Sequence, residues 1–221
     1  PSDKLIIASV VNPNLSFITA MQHLYPEHYN IRVIRSPMEM AAVMQKGEAD
    51  AVFHTFIGST KLYRKGAAKD YAMYRPYIYN AVYLVSRKSI NSLSDLKDQK
   101  VLVAYKGGSP DLMFNVALKH HGMSTEDLDA HYAKPVPILK LYVAGKADFA
   151  VIPEYYVSQL DIQTQGKLHI HSLEKLVLNK KEDAPIKHIP IAAVLIKRDS
   201  PKIDLPQLDK HIQQTMAFIN N

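Results

Sequence analysis

The chain has 221 residues, of which 47% are hydrophobic and 22% charged. These are values of a folded globular protein, large enough for one domain or two small lobes, and they exclude intrinsic disorder. It contains no cysteine. That excludes a disulfide scaffold, a thiolate zinc site, an iron–sulfur cluster and a cysteine nucleophile, and it suits an oxidising compartment. The formal net charge is +6. Its densest basic stretches, Lys61 to Lys69 and Lys180 to Lys187, are short, and the second contains Glu182 and Asp183. No basic helix or nucleic-acid motif accompanies them, so they read as solvated surface and nucleic acid is not expected as a partner. No apolar run of about 18 residues is present to span a membrane. The chain begins at Pro1 without a methionine and reads as a processed form or a fragment.

Lys4 to Val11 is an apolar β-rich run stopped by Asn12, Pro13 and Asn14. A helical pattern follows from Leu15 to Leu24, then a strand from Ile31 to Ile34 and a helix from Met38 to Ala49. Met38, Met40 and Met44 read as the core of that helix. Ala51 to Phe53 is a third strand. The order β-α-β-α-β belongs to a mostly parallel sheet covered by helices.

The pattern then restarts. Lys100 to Tyr105 is a strand, Asp111 to His121 a helix, a strand lies near His131, Val136 to Ala144 is helical, and Phe149 to Ile152 is a strand. The two passes align: Lys4-Leu5-Ile6-Ile7-Ala8 with Lys100-Val101-Leu102-Val103-Ala104, and Gly47-Glu48-Ala49-Asp50-Ala51 with Gly145-Lys146-Ala147-Asp148-Phe149. Such self-similarity implies two α/β lobes of like topology. In each, a glycine would end a helix in the left-handed region before the chain returns to the sheet. Tyr71 to Lys88 reads as a strand leaving the first lobe for the second, and Ile189 to Lys197 as a strand carrying the chain back. A last helix, Leu205 to Asn220, is expected on the first lobe. The lobes are then residues 1–83 with 192–221, and 84–191.

In open α/β sheets ligands bind beyond the carboxyl ends of strands. That rule selects Ser9, Asn12 and Asn14 after the first strand, and His54, Thr55 and Ser59 after the third. In the second lobe it selects Tyr105, Lys106, Gly107, Gly108 and Ser109 after one strand, and Glu154, Tyr155 and Tyr156 after another. The hinge strand adds Tyr79 and Asn80. Lys106-Gly107-Gly108-Ser109-Pro110-Asp111 suits a strand-to-helix turn with Ser109 as N-cap and Pro110 at the first helical position. Its glycines allow close backbone approach, and the exposed amides of a helix start, with Lys106, attract anions. The spacing is not that of a P-loop. One carboxylate, Glu154, and one imidazole, His54, could do acid–base work, but no catalytic group is assigned. His120 and His121 cannot share a helix face, and His169 and His171 lack a third partner, so neither a metal nor a cofactor is expected.

Met38 to Phe53 (MEMAAVMQKGEADAVF), Ser92 to Met123 (SLSDLKDQKVLVAYKGGSPDLMFNVALKHHGM) and Lys146 to Pro153 (KADFAVIP) resemble the type II periplasmic solute-binding proteins, in particular the nitrate/sulfonate/thiamine-precursor-like group. The resemblance implies the two-lobed type II periplasmic-binding fold: α/β lobes, each a mostly parallel sheet flanked by helices, joined by two hinge strands. It also implies capture of a small polar or anionic ligand in an interlobe cleft by hinge closure. By position, His54, Thr55, Gly108 and Ser109 fall where the family contacts its ligand, and Glu154 and Tyr155 where the second lobe closes. The expected partners are a small-molecule ligand and the permease of an ABC-type importer, and the expected state is a periplasmic or extracytoplasmic monomer. This chain is shorter than the family's usual length. It also fits the extracytoplasmic sensor domain of a membrane receptor such as a histidine kinase, or a dehydratase or lyase built on the same fold.

Overall fold

A computed structural model of the chain describes residues 3–10, 12–178 and 187–219. Val11, the basic stretch over 180–186 and Asn220 lie outside the described residues. The chain divides into two compact units, Pro1–Ile78 with Pro190–Asn221, and Tyr79–Ile189.

The first unit runs β1 (Leu5–Val10), α1 (Pro13–Leu24), β2 (Tyr29–Ile34), α2 (Pro37–Gln45), β3 (Ala51–Thr55), α3 (Phe56–Arg64) and β4 (Tyr71–Tyr79), and it is completed by β10 (Pro190–Lys197) and α8 (Leu205–Ile219). Its sheet has the order β2-β1-β3-β10-β4. Strand β1 alternates as a strand between two packed layers must. Leu5 and Ile7 face Phe17, Ile18 and Met21 of α1 together with Leu208 and Ile212 of α8. Ala8 faces the other way, onto Met40, Val43 and Met44 of α2. Met38 does not join that core; it is 83% exposed, because Pro37 starts the helix and the buried stripe begins only at Met40. Phe17, Phe53 and Tyr77 form an aromatic knot at centroid separations of 4.8 to 5.8 Å.

Between the first strand and the second, Asn12 caps α1 by accepting the Asn14 amide at 2.9 Å. Asn12→Ala is expected to lower stability by about 1 kcal/mol, read from urea unfolding; an unchanged midpoint would show that the cap is replaced by solvent.

The second unit contains β5 (Val82–Ser86), β6 (Lys100–Ala104), α4 (Ser109–His120), β7 (Asp129–Ala133), α5 (Pro135–Val143), β8 (Phe149–Pro153), α6 (Glu154–Gln163), β9 (His169–Ser172) and α7 (Leu173–Leu178). The sheet order is β7-β6-β8-β5-β9. Leu102, Ala104, Ala150 and Ile152 pack against Ile138 and Tyr142 of α5 and Val157 and Leu160 of α6. Helix α4 buries Phe114, Ala117 and Leu118.

The sheets are built alike. In each, three neighbouring strands are parallel: β2, β1 and β3 in one, β7, β6 and β8 in the other. Both sheets are nevertheless mixed rather than mostly parallel. Strand β10 runs antiparallel to β3, and β5 runs antiparallel to β8 and β9. The antiparallel members β5 and β10 are the segments expected to carry the chain between lobes. The strand register corrects the sequence alignment by two residues. Ile7 stands opposite Ala51 as Val101 stands opposite Phe149, whereas the aligned runs equate Ile7 with Val103. A shift of two preserves which face each side chain takes, so the apolar pattern does not distinguish the registers.

The helix ends before β3 and β8 are also alike. Gly47 and Gly145 take φ of 62° and 68°. The amides that follow them, of Glu48 and Lys146, reach back to the carbonyls of Val43 and Leu141, each at 3.0 Å. This is a Schellman-type stop, for which glycine is the unstrained residue.

The segment Tyr71 to Lys88 is not one strand. It breaks after Tyr79 at Asn80, whose φ of 46° lies in the left-handed region, a position asparagine tolerates better than most residues.

Candidate functional site

Three parallel strands end together in each unit, and the segments that follow them carry most of the residues selected from sequence. In the first unit Ser9 is inside β1, fully buried, and donates to the Val10 carbonyl at 3.1 Å. Asn12 is the α1 cap. Asn14 is buried in α1 and accepts a hydrogen bond from the Tyr77 hydroxyl. Thr55 caps α3, accepting the Gly58 amide at 3.1 Å, and Ser59 donates back to the Thr55 carbonyl at 2.9 Å. These five residues spend polar groups on their own backbone or core. Helix α3 itself was not legible in a segment as mixed as Phe-Ile-Gly-Ser-Thr.

His54 differs. It closes β3 with its ring against Gly58, where an added Cβ would stand 2.3 Å from Nε2. Its buried Nδ1 has no hydrogen-bond partner among the described residues. Burial pushes its pKa down to about 4, so the imidazole is neutral at physiological pH.

In the second unit the turn after β6 departs from expectation. Gly108, not Ser109, is the N-cap of α4, and no side chain caps the helix. The Gly108 amide donates to the Tyr105 carbonyl at 2.6 Å, and the Gly107 amide donates to the Asp111 carboxylate at 2.7 Å. Both glycine amides expected to cradle an anion are therefore engaged within the turn. Asp111 is buried and also accepts from Asn115 at 2.7 Å. It draws the turn closed, which the sequence signals only through the four-residue spacing from Gly107. Tyr105 sits at φ 54° and is 42% exposed. Burial, with the neighbouring Tyr156 hydroxyl adding to it, pushes its pKa up to about 12. The Lys106 ammonium lies 5.1 Å from the centroid of the Tyr132 ring, a cation–π distance.

Glu154 and Tyr155 are not in a loop; they open α6 directly after β8. Glu154 is exposed rather than surrounded by apolar residues, and accepts from Ser158 at 2.7 Å. Tyr155 is 50% exposed and meets Tyr156 edge to face at 5.2 Å. Because β6 and β8 are parallel neighbours, Tyr105, Tyr155 and Tyr156 gather at one sheet edge. Tyr132 is a member of this edge that the sequence did not single out. A depression lined by Arg87, Gln163 and Lys167 lies elsewhere, where β5 ends beside the start of β8.

Tyr79 and Asn80 belong to a third group. The Asn80 amide donates to Glu174 at 3.2 Å, and the Ile189 amide donates to the same carboxylate oxygen at 2.8 Å. His188 bonds the other oxygen at 3.1 Å and lies 5.7 Å from the Tyr79 ring. One buried carboxylate thus holds both segments through which the chain crosses between units. Sequence reasoning missed Glu174, for which only a buried acid in a short helix would have been a sign.

Among the described residues no group of three or more His, Asp and Glu could hold a metal ion. No helix among them is long and apolar enough to cross a membrane.

No protein-family model and no curated protein matches the sequence. Solved structures do. An ABC transporter protein from Parabacteroides distasonis superposes with a TM-score of 0.74 at 18% identity, over 96% of this chain and 72% of that one. The periplasmic aliphatic sulphonate binding protein SsuA from Escherichia coli gives 0.69 at 19%, over 100% and 70%. The periplasmic VFT2 domain of BvgS from Bordetella pertussis gives 0.54 at 15%, over 96% and 93%. The chain has the two-unit α/β fold of the type II periplasmic binding proteins.

Proposed function

We propose that this chain is an extracytoplasmic solute-binding protein that captures a small polar solute with the strand-end segments of both units and delivers it to the permease of an ABC-type importer. The observation that carries the reading is the duplicated edge: two similarly built sheets, each ending three parallel strands at segments bearing polar and aromatic side chains, in a fold shared with proteins of that kind. His54 in the first unit and Tyr105, Glu154 and Tyr155 in the second are the residues we assign to the solute. Closure about the crossover segments would favour the liganded state, because both units contribute contacts only there. A binding role fits the chemistry better than catalysis. His54 Nδ1 has no partner among the described residues, and Glu154 is tied to Ser158, so neither edge by itself assembles an acid–base pair.

Native mass spectrometry of the purified protein tests this. The expected result is a bound small molecule, released chemically unchanged on denaturation and restoring thermal stability when added back. Saturation at about a hundredfold excess over the dissociation constant contributes about 2.7 kcal/mol. Conversion of that molecule to a different product would overturn the binding reading in favour of a lyase or dehydratase.

A second reading is favoured by one comparison: the chain matches 93% of the Bordetella periplasmic domain. In that reading the same solute binding drives a membrane receptor, and the parent gene continues into a membrane-spanning segment.

A further inference from the structure

We infer that the second unit receives a flat, uncharged aromatic or heteroaromatic ring and no sulfonate or other anionic group; this rests on the solute-binding reading above and names the class of solute. Two observations combine. The first is that the two glycine amides of the turn after β6 are not open to an anion. The Gly107 and Gly108 amides are taken by Asp111 and by the Tyr105 carbonyl. The group that fills the start of α4 is a buried carboxylate, bonded also by Asn115. A sulfonate placed there would meet a negative charge instead of open donors, and the start of a helix attracts anions only while its amides are free to turn toward them. The nearby cation, Lys106, is drawn onto the Tyr132 ring.

The second observation is what the edge does present. Tyr105 and Tyr155 are 42% and 50% exposed, and Tyr155 is backed edge to face by Tyr156. Two exposed tyrosines, one packed on a third and the other set by its backbone, offer aromatic surface at the strand ends. Fixed rings lose little freedom on binding and pair well with another ring. The backbone supports the placement: Tyr105 is held at φ 54°, an uncommon conformation for a bulky residue that recurs at ligand-contacting sites.

Calorimetric titration of the whole chain with two libraries tests the inference. One holds heteroaromatic metabolites, including cytosine, adenine and nicotinamide. The other holds aliphatic sulfonates, phosphonates and amino acids, including taurine and ethanesulfonate. We expect a member of the first library to bind, and to bind about tenfold more weakly to Tyr155→Ala. Tyr155 is exposed, so its loss leaves the fold intact. Tyr105→Asn, which keeps a residue tolerant of the left-handed backbone, should weaken binding comparably. Binding of a sulfonate with silence from the ring library would overturn the ring class and leave the solute-binding reading standing. A ring compound bound equally well by both variants would overturn the assignment of the tyrosines. Silence from both libraries would overturn both readings.

Discussion

Glu174→Ala is expected to destabilise the protein by about 3 kcal/mol, the larger part of it lost at the crossover segments. The carboxylate is buried and accepts the backbone amides of Asn80 and Ile189, which are 109 positions apart in the numbering, at 3.2 and 2.8 Å. Alanine leaves both amides without that acceptor, and hydrogen bonds to a charged group contribute about 1.5–3 kcal/mol each when the partner is lost from the interior. The His188 contact adds little, because that side chain is 64% exposed and exposed ion pairs contribute about 0–1 kcal/mol. Glu174→Gln keeps one carbonyl acceptor and should recover part of the loss. Urea unfolding gives the total, and amide hydrogen exchange locates it: protection at Asn80 and Ile189 should fall together in Glu174→Ala. Exchange that changes at one amide only would show that the two crossovers are held separately, and an unchanged midpoint would show that water replaces the carboxylate.

That clamp marks the limit of what residue patterns reveal. The parallel cores were legible, because Ile7 and Ala8 must face opposite layers and Met40, Val43 and Met44 recur at helical spacing. So were the two stops at Gly47 and Gly145, where backbone geometry leaves few alternatives. The break at Asn80 was not, since Tyr71 to Lys88 is uniformly β-prone and the bend depends on partners distant in the chain, Ser172 and Glu174. Helix α6 was hidden for a related reason: its start after Pro153 follows from β8 ending, not from its own weakly patterned residues. At the site, the order of strands placed the right segments at the sheet edges. The fate of each polar group was beyond reach, because it turns on local competition. Asp111, which in sequence could favour the helix or weaken the anion site, closes on the Gly107 amide and removes the anion cradle that the glycines suggested. Serine and threonine at Ser59 and Thr55 likewise satisfy their own helix before any solute is involved.

Acidification is expected to remove about 3 kcal/mol of stability through His54 alone. In the folded chain burial holds its pKa at about 4, while in the unfolded chain it returns to about 6.5. Between these values the unfolded state binds the extra proton, so stability falls as pH drops through the window from about 6.5 to about 4 and is independent of this group above it. Other residues titrate in the same range, so the test is a difference. The stability of the wild type minus that of His54→Gln, from urea unfolding at a series of pH values, should rise from pH 4 to 6.5 and then level off. Parallel profiles would show that the imidazole is protonated as easily in the fold as out of it. The same burial has a consequence for binding. A neutral imidazole retains one donor and one acceptor nitrogen, and its Nδ1 is buried with no partner among the described residues, at the end of β3 where the proposed solute contacts begin. His54 is the residue we assign to the solute in the first unit, so solute affinity should weaken in His54→Phe, which keeps a ring and removes both nitrogens.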